Sequence, residues 1–291
     1  MTFPGLFVIL ETQNGWNLII MQNESLISII APVVESVDNM NLKKVLKDSL
    51  TKSKKSLTNI DNCFHRLSSG PWDVETMRKF FHVWKLTHLK MLPIYGLSCR
   101  ILKMATDSPN GSRNDYFMAA TKNAETSYQD LNIDGHEIDG DMKTHSDLYN
   151  DLANEICDGD SWQLKQYSTK PALAFSKWIY GNMVYQDVEI GLFTNLFSEI
   201  FNHGEYTIAL HSFRTFLQEQ KGYDKQKSDQ LALYIKCHVT SGVEVDHFHC
   251  VASSLVHIEN AKKSKMDYSK AEDIFCNYLN KIGAVLDPLF R

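Results

Sequence analysis

The chain has 291 residues, of which 43% are hydrophobic and 22% charged, and its formal net charge is −5. These values are typical of a folded globular protein and exclude a disordered chain. The charge is spread over both halves without a long basic run, which argues against a nucleic-acid partner. Because no stretch reaches the ~18 consecutive apolar residues of a transmembrane helix, we also expect no membrane span.

The six cysteines lie far apart and form no CxxC pair. Such spacing is typical of small core residues in a reducing compartment rather than of a disulfide framework. The apolar run near the N-terminus lacks a basic n-region and a small-residue cleavage site, so we expect no signal peptide. Together these features predict a cytoplasmic protein.

The N-terminal segment, residues 1–24, carries the clearest β signal of the chain. Asn14-Gly15 separates two apolar runs and is the dipeptide that prefers a tight hairpin turn, so this segment is predicted to be a short hairpin or arm. From Leu42 onward the apolar residues recur at steps of three or four, which predicts an amphipathic helix that ends near Gly70.

The rest of the chain repeats this helical pattern between clear breaks. We find no internal repeat and no low-complexity linker, so a single domain over residues 1–291 is expected. The pattern predicts an all-α bundle of about eight or nine helices. After the first, the predicted helices lie at about 73–93, 94–104, 113–129, 144–157, 171–201, 205–219, 226–260 and 268–286.

A late segment, GVEVDHFHC at 242–250, is the best local candidate for chemistry. Asp246 and His249 are three residues apart and therefore share one face of a helix. A carboxylate and an imidazole in that geometry can hold one metal ion. Two ligands alone do not make a site, so further donors must come from elsewhere in the chain.

A second candidate is the end of the helix at 113–129 together with the acidic loop that follows. Its oxygen and nitrogen donors suit iron or manganese, although an acidic surface loop with a capping histidine has the same composition. A third candidate is Glu189, a carboxylate in an apolar helix, which is either a partnered core residue or a solvated side chain. The donors of the second candidate are Glu125, Asp130, Asp134, His136, Glu137, Asp139, Asp141 and His145.

Three segments in this order resemble the haem-oxygenase-like fold. They are NAETSYQDLNIDG followed by THSDLY, the helix around DVEIG, and GVEVDHFH. Within that fold they are similar to the Chlamydia protein associating with death domains and to the haem-oxygenase-like di-metal oxidases. The resemblance implies two irons held by a carboxylate and a histidine of one hairpin, a middle carboxylate and a late histidine–aspartate–histidine set.

Carried over residue by residue, the resemblance implies a ligand set drawn from all three segments. His145 matches the first histidine, Glu189 the middle carboxylate, and Asp246 with His249 the last two late ligands. The first carboxylate is open between Glu125, Asp130 and Asp134. One position departs from the pattern, because the late set usually has a histidine where this chain has Gly242. His238 precedes Asp246 by eight residues and points about 80° away from its face, so a mononuclear site, another metal or a lost site stay open.

The activity implied by the resemblance is that of an iron-dependent oxidoreductase. Such an enzyme activates dioxygen and oxidises a small organic substrate, apolar or amphipathic, in the core of the bundle, as in biosynthesis. A homodimer is one open oligomeric state. The aromatic residues that could line the substrate pocket, or simply pack the core, are Trp84, Tyr95, Trp178, Tyr180 and Tyr185.

Two other functions remain open at this stage. One is a magnesium-dependent, terpene synthase-like enzyme acting on an isoprenoid diphosphate, with Mg²⁺ bound by the acidic runs DGHEIDGD or NDLANEICDGD. Neither run has a DDxxD spacing. The other is a metal-free relative that binds a small molecule or a protein, in which Asp246 and His249 are a satisfied polar pair.

Overall fold

The computed structural model describes residues 25–88, 90–108, 110–127, 136–138 and 141–291. The hairpin predicted at 1–24 lies outside these ranges, whereas the all-α class is confirmed. The described elements are α1 (Leu26–Glu35), α2 (Met40–Lys52), α3 (Lys54–Ser69), α4 (Val74–His88), α5 (Met91–Asp107), α6 (Asn110–Glu125), β1 (His136–Ile138), β2 (Asp141–Lys143), α7 (His145–Cys157), α8 (Lys170–Val184), α9 (Val188–Thr215), α10 (Lys225–Leu231), α11 (Leu233–Val239), α12 (Val243–Lys262) and α13 (Tyr268–Leu286).

The described helices outnumber the eight or nine predicted, because α1 was not predicted and because two predicted helices, at 42–70 and 226–260, are interrupted. The segment predicted as one helix at 226–260 forms α10, α11 and α12. Gly242 lies just before α12 with φ of +71°, in the left-handed region that interrupts a helix and that glycine adopts without steric cost. The resulting bend lets residues at the end of α11 meet residues at the start of α12.

The centre of the bundle is α9, a helix of 28 residues that packs against α1, α3, α8, α11, α12 and α13. Most of its side chains are buried, including several that are polar. Gly204 allows α1 to approach closely, since a Cβ at this position would lie 2.9 Å from Cγ1 of Ile30. Buried polar groups on such a helix need partners, which directs attention to Glu199 and Glu205.

The short hairpin β1–β2 precedes α7, and its two strands pair in antiparallel register. The N-terminus of α7 has a capping box, because Thr144 accepts a hydrogen bond from the Asp147 N–H and the Asp147 side chain accepts one from the Thr144 N–H. This cap fixes His145 at the first position of α7, where its side chain is buried.

Among the helices of the described ranges, none combines the length and the apolar character needed to cross a membrane.

Candidate functional site

Two groups of metal-ligating side chains lie next to each other in the bundle core. In each group the ligand atoms all lie within 4.8 Å of one another. We call Glu199, Glu244 and His247 the carboxylate set, and His145, Cys237 and His238 the thiol set. The two sets are joined by a hydrogen bond of 2.7 Å between Nδ1 of His238 and Oε1 of Glu244.

The carboxylate set is built by two facing helices. Glu199 lies in the middle of α9, while Glu244 and His247 are three residues apart in the first turn of α12 and share one face. Both carboxylates are almost fully buried, with 3% and 2% of their surface exposed. Oε2 of Glu199 lies 3.6 Å from Nδ1 of His247, so one imidazole and two carboxylates point at a common centre.

The two carboxylates of this set have pKa values displaced in opposite directions. Burial, together with the charge of Glu244, raises the pKa of Glu199 to about 7, although His247 acts against this. Burial also acts to raise the pKa of Glu244, but the histidines 238 and 247 and the Glu199 carboxyl outweigh it and lower that pKa to about 2. A proton held by Glu199 therefore relieves the repulsion between two buried anions at neutral pH.

The thiol set is built where the N-terminus of α7 meets the C-terminal end of α11. Sγ of Cys237 lies 3.5 Å from Nε2 of His145 and donates a hydrogen bond to the backbone carbonyl of Tyr234. The rings of His145 and His238 are 4.8 Å apart between centroids. His238 also stacks on Tyr206 with ring centroids 4.1 Å apart, which fixes the plane of its imidazole.

A buried lysine lies beside the carboxylate set. Nζ of Lys90 donates hydrogen bonds to Oδ1 of Asn202 at 3.0 Å and to the hydroxyl of Tyr278 at 2.9 Å. Burial acts to lower the pKa of Lys90, but Tyr278 and the nearby carboxylates 199 and 205 outweigh it and raise that pKa. The raised pKa of Lys90 favours its charged form, which compensates part of the negative charge of the cluster.

The second buried carboxylate of α9 is held by α4. Glu205 accepts hydrogen bonds from Nε1 of Trp84 at 3.2 Å and is 2.8 Å from Nε2 of His88. The other ring nitrogen of His88 lies 2.8 Å from the Trp84 carbonyl oxygen, an acceptor, so this nitrogen carries a proton. The contact between Nε2 of His88 and Oε2 of Glu205 gives this buried carboxylate a second partner on α4.

These groups surround a small internal cavity of about 40 Å³. Its wall contains members of both sets together with Lys90, His88 and Tyr206. The volume is enough for an ion with one or two water molecules, since one water needs about 10 to 15 Å³ on this measure.

Of the six site residues predicted from the sequence, His145 lies in the cluster. Glu125, at the end of α6, is half-exposed, pairs with Lys122 at 2.7 Å and accepts a hydrogen bond from the Cys250 thiol at 3.3 Å. Asp134 lies outside the described residues. Glu189 forms an ion pair with Lys262 at 2.6 Å and belongs to neither set.

Asp246 and His249 lie on the exposed side of α12 and belong to neither set. The residues that face the core are Glu244 and His247, two positions earlier in the chain. A shift of two residues rotates a side chain by about 200° around a helix, so the two candidate pairs occupy opposite faces. The carboxylate–x–x–histidine spacing occurs twice in this segment. The two pairs are distinguished only by burial, because one faces the core and the other is exposed.

The sequence pattern did not predict Glu199, Glu244, His247 or Cys237 as site residues. Glu244-x-x-His247 has a recognisable signal, because a carboxylate and a histidine three apart are a recurrent ligand pair of di-iron bundles. Gly242 lies directly before α12, so it marks the start of this helix in the sequence. Glu199 and Cys237 have no local signal, since their role depends on which helices face each other.

The carboxylates of the acidic run considered for magnesium, NDLANEICDGD, lie toward the surface, whereas the apolar residues of this run are buried. Asp151 pairs with Lys143 at 2.6 Å and Glu155 pairs with Lys227. These residues line an open cleft between α7 and α10. Because lysines already neutralise both carboxylates, this cleft is a poor cage for a divalent cation.

No protein-family model and no curated protein sequence matches the chain. Among solved structures, the chain is similar to a TenA homologue from Pseudomonas syringae pv. tomato str. DC3000. The TM-score is 0.57 at 9% sequence identity, over 85% of this chain and 91% of the other. The likeness supports an all-helical fold related to the haem-oxygenase-like folds, and at this identity it is a likeness of fold alone.

Proposed function

We propose that the protein is a non-haem iron oxidase or oxygenase that binds its metal at the carboxylate set. The observation that carries the proposal is the convergence of Glu199 with Glu244-x-x-His247 in the core of a helical bundle. Di-iron carboxylate proteins use two copies of this combination, in each of which a glutamate of one helix meets a glutamate–x–x–histidine pair of another. The carboxylate set supplies one such copy.

The donor chemistry of the set fits iron or manganese better than magnesium or zinc. Two carboxylates and one imidazole supply hard oxygen donors with one nitrogen, the donor mixture of the carboxylate-rich di-iron and di-manganese bundles. Magnesium prefers oxygen ligands and several waters, and structural zinc sites favour sulfur and nitrogen. Protonation of Glu199 reduces the repulsion between the two carboxylates, as a bound cation would, so metal binding is expected to displace the proton.

Bound iron would supply the electrons that dioxygen activation requires. The chain's own residues have separate tasks. Glu199 and Glu244 bind the cation, and Glu199 releases a proton when the cation enters. Lys90 limits the net negative charge around the set and hydrogen-bonds Asn202, which fixes this part of α9. His238 holds one oxygen of Glu244 and so orients that carboxylate.

The organic substrate needs more room than the cavity offers. A cavity of about 40 Å³ admits water and dioxygen, whereas typical substrate pockets measure about 300 to 1,000 Å³. Substrate binding is therefore expected to require a displacement of side chains around the cavity, and a small substrate is favoured over a bulky one.

The predicted homodimer and the cytoplasmic location stay predictions.

The test is anaerobic reconstitution of the protein with ferrous iron, followed by metal analysis and an oxygen-consumption assay. The parent is expected to bind iron and then to consume oxygen. Glu244→Gln and His247→Ala are expected to lose most of the bound iron, because each removes one of three core ligands.

The same helix offers matched controls. Asp246→Asn and His249→Ala change the same residue types in α12 but on its exposed face, so they are expected to bind as much iron as the parent. If the control variants lose iron and the core variants retain it, the iron site lies on the exposed face of α12 and not at the carboxylate set. A parent that binds no iron would favour a metal-free relative, in which both sets serve only as a hydrogen-bonded core.

A further inference from the structure

The thiol set has a donor chemistry that differs from that of its neighbour. The carboxylate set offers two oxygens and one nitrogen, whereas His145, Cys237 and His238 offer two nitrogens and one sulfur. Sulfur is a soft ligand that selects zinc and related thiophilic ions, while carboxylates select hard cations. The core of the bundle therefore contains two adjacent groups that prefer different metals.

The spacing within the thiol set suits a single bound ion. A nitrogen at about 2.05 Å and a sulfur at about 2.3 Å from one tetrahedral zinc lie about 3.6 Å apart. The observed distance between Nε2 of His145 and Sγ of Cys237 is 3.5 Å. Because all three ligand atoms lie within 4.8 Å of one another, small side-chain rotations suffice to bring them to one ion.

The surroundings orient the ligands as they do in known zinc sites. His238 is bound through Nδ1 by the Glu244 carboxylate at 2.7 Å, and a carboxylate–histidine–metal arrangement leaves Nε2 as the ligating nitrogen. The stacked ring of Tyr206 holds the same imidazole in its plane. His145 is buried and is fixed at the first turn of α7 by the capping box.

We propose that His145, Cys237 and His238 form a second metal position that takes Zn²⁺, with Cys237 bound as a thiolate. Three protein ligands leave a fourth position open, as in zinc sites that bind water or substrate. The thiol proton, which is donated to the Tyr234 carbonyl in the metal-free chain, is released when the ion binds. This proposal rests on the proposed function in one respect, which is that the neighbouring carboxylate set would be occupied by iron.

The experiment titrates the metal-free protein with Co²⁺ as a spectroscopic probe for Zn²⁺ and compares the parent with Cys237→Ser. The parent is expected to develop a thiolate-to-cobalt charge-transfer band and to release about one thiol proton per ion bound there. Cys237→Ser is expected to lose the band and about one equivalent of Zn²⁺. Cys99→Ser is the matched control, because Cys99 is exposed and belongs to neither set, and the band of this variant is expected to equal that of the parent.

The outcomes separate this proposal from the preceding one. Cobalt that binds the parent without a thiolate band would overturn the thiolate ligand, and so would a band that survives in Cys237→Ser. Failure of the parent to bind cobalt or zinc would overturn the proposal as well. This result comes from the parent protein alone, so it does not depend on whether a variant folds. Iron analysis of Cys237→Ser reports separately on the carboxylate set, since retained iron supports the iron site whether or not the thiol set binds zinc.

Discussion

Replacing Glu199 by glutamine is expected to change how the stability of the metal-free protein depends on pH. Glutamine has the shape of a protonated carboxyl group and can donate a hydrogen bond to Glu244, but it does not titrate. The folded state raises the pKa of Glu199 from its ordinary value of 4.5 to about 7. The folded protein therefore binds this proton more tightly than the unfolded chain does.

The sign of the effect follows from linkage. An acid with a raised pKa in the folded state contributes stability that is fully present below about pH 4.5 and is lost as the pH rises through about 7. The pKa difference of about 2.5, at about 1.36 kcal/mol for each pH unit, corresponds to about 3 kcal/mol. Relative to the parent, Glu199→Gln is expected to gain about 2 to 3 kcal/mol of stability between pH 5 and pH 8.

The assay is urea unfolding of both proteins in the presence of a chelator, at several pH values over that range. Titrating groups that do not interact with Glu199 cancel in the difference between parent and variant, whereas Glu244 and His247 belong to the same coupled set. Glu189→Gln is the control, because Glu189 lies on the same helix and pairs with Lys262 near the surface. The difference in free energy of unfolding between Glu189→Gln and the parent is expected to be small at every pH, as is usual for exposed ion pairs. A difference between parent and Glu199→Gln that is equal at pH 5 and pH 8 would refute the shared-proton reasoning.

Two further predictions concern the packing around the site. Lys90→Met is expected to lower the free energy of unfolding by about 2 to 5 kcal/mol, because Asn202 and Tyr278 lose a buried donor and the nearby carboxylates lose a cation; a loss below about 1 kcal/mol in urea unfolding would contradict this role. Gly204→Ala is expected to cost about 1 to 3 kcal/mol through a clash with α1. Gly181→Ala is the control, because no atom lies near the added Cβ, and it is expected to stabilise the protein by about 0.5 to 1 kcal/mol. Equal changes in the free energy of unfolding for the two variants would exclude overpacking at Gly204.

Helical periodicity was sufficient to predict the all-α class, since apolar residues at steps of three or four require a buried helix face. It did not predict the breaks within those helices. α11 and α12 form one periodic segment in the sequence, and the left-handed conformation of Gly242 separates them. Because of this bend, His238 and Glu244, six residues apart, meet at a hydrogen bond of 2.7 Å.

The candidate site depends on helix orientation, which the sequence leaves open. His145 was among the predicted ligands because the family resemblance matched it to the first histidine. The capping threonine before it fixes its position at the start of α7. Glu199 was not predicted, since α9 is buried on nearly all sides and has no polar face to reveal its direction. In α12, two carboxylate–x–x–histidine pairs overlap, and their spacing alone does not determine which pair faces α9.

The most direct test of the account is a crystal structure of the anaerobically iron-loaded protein, with anomalous data collected above and below the iron absorption edge. We expect an iron peak within coordinating distance of Glu199, Glu244 and His247. An iron peak beside Asp246 and His249, or the absence of iron from the carboxylate set, would contradict the assignment of the metal to this core cluster.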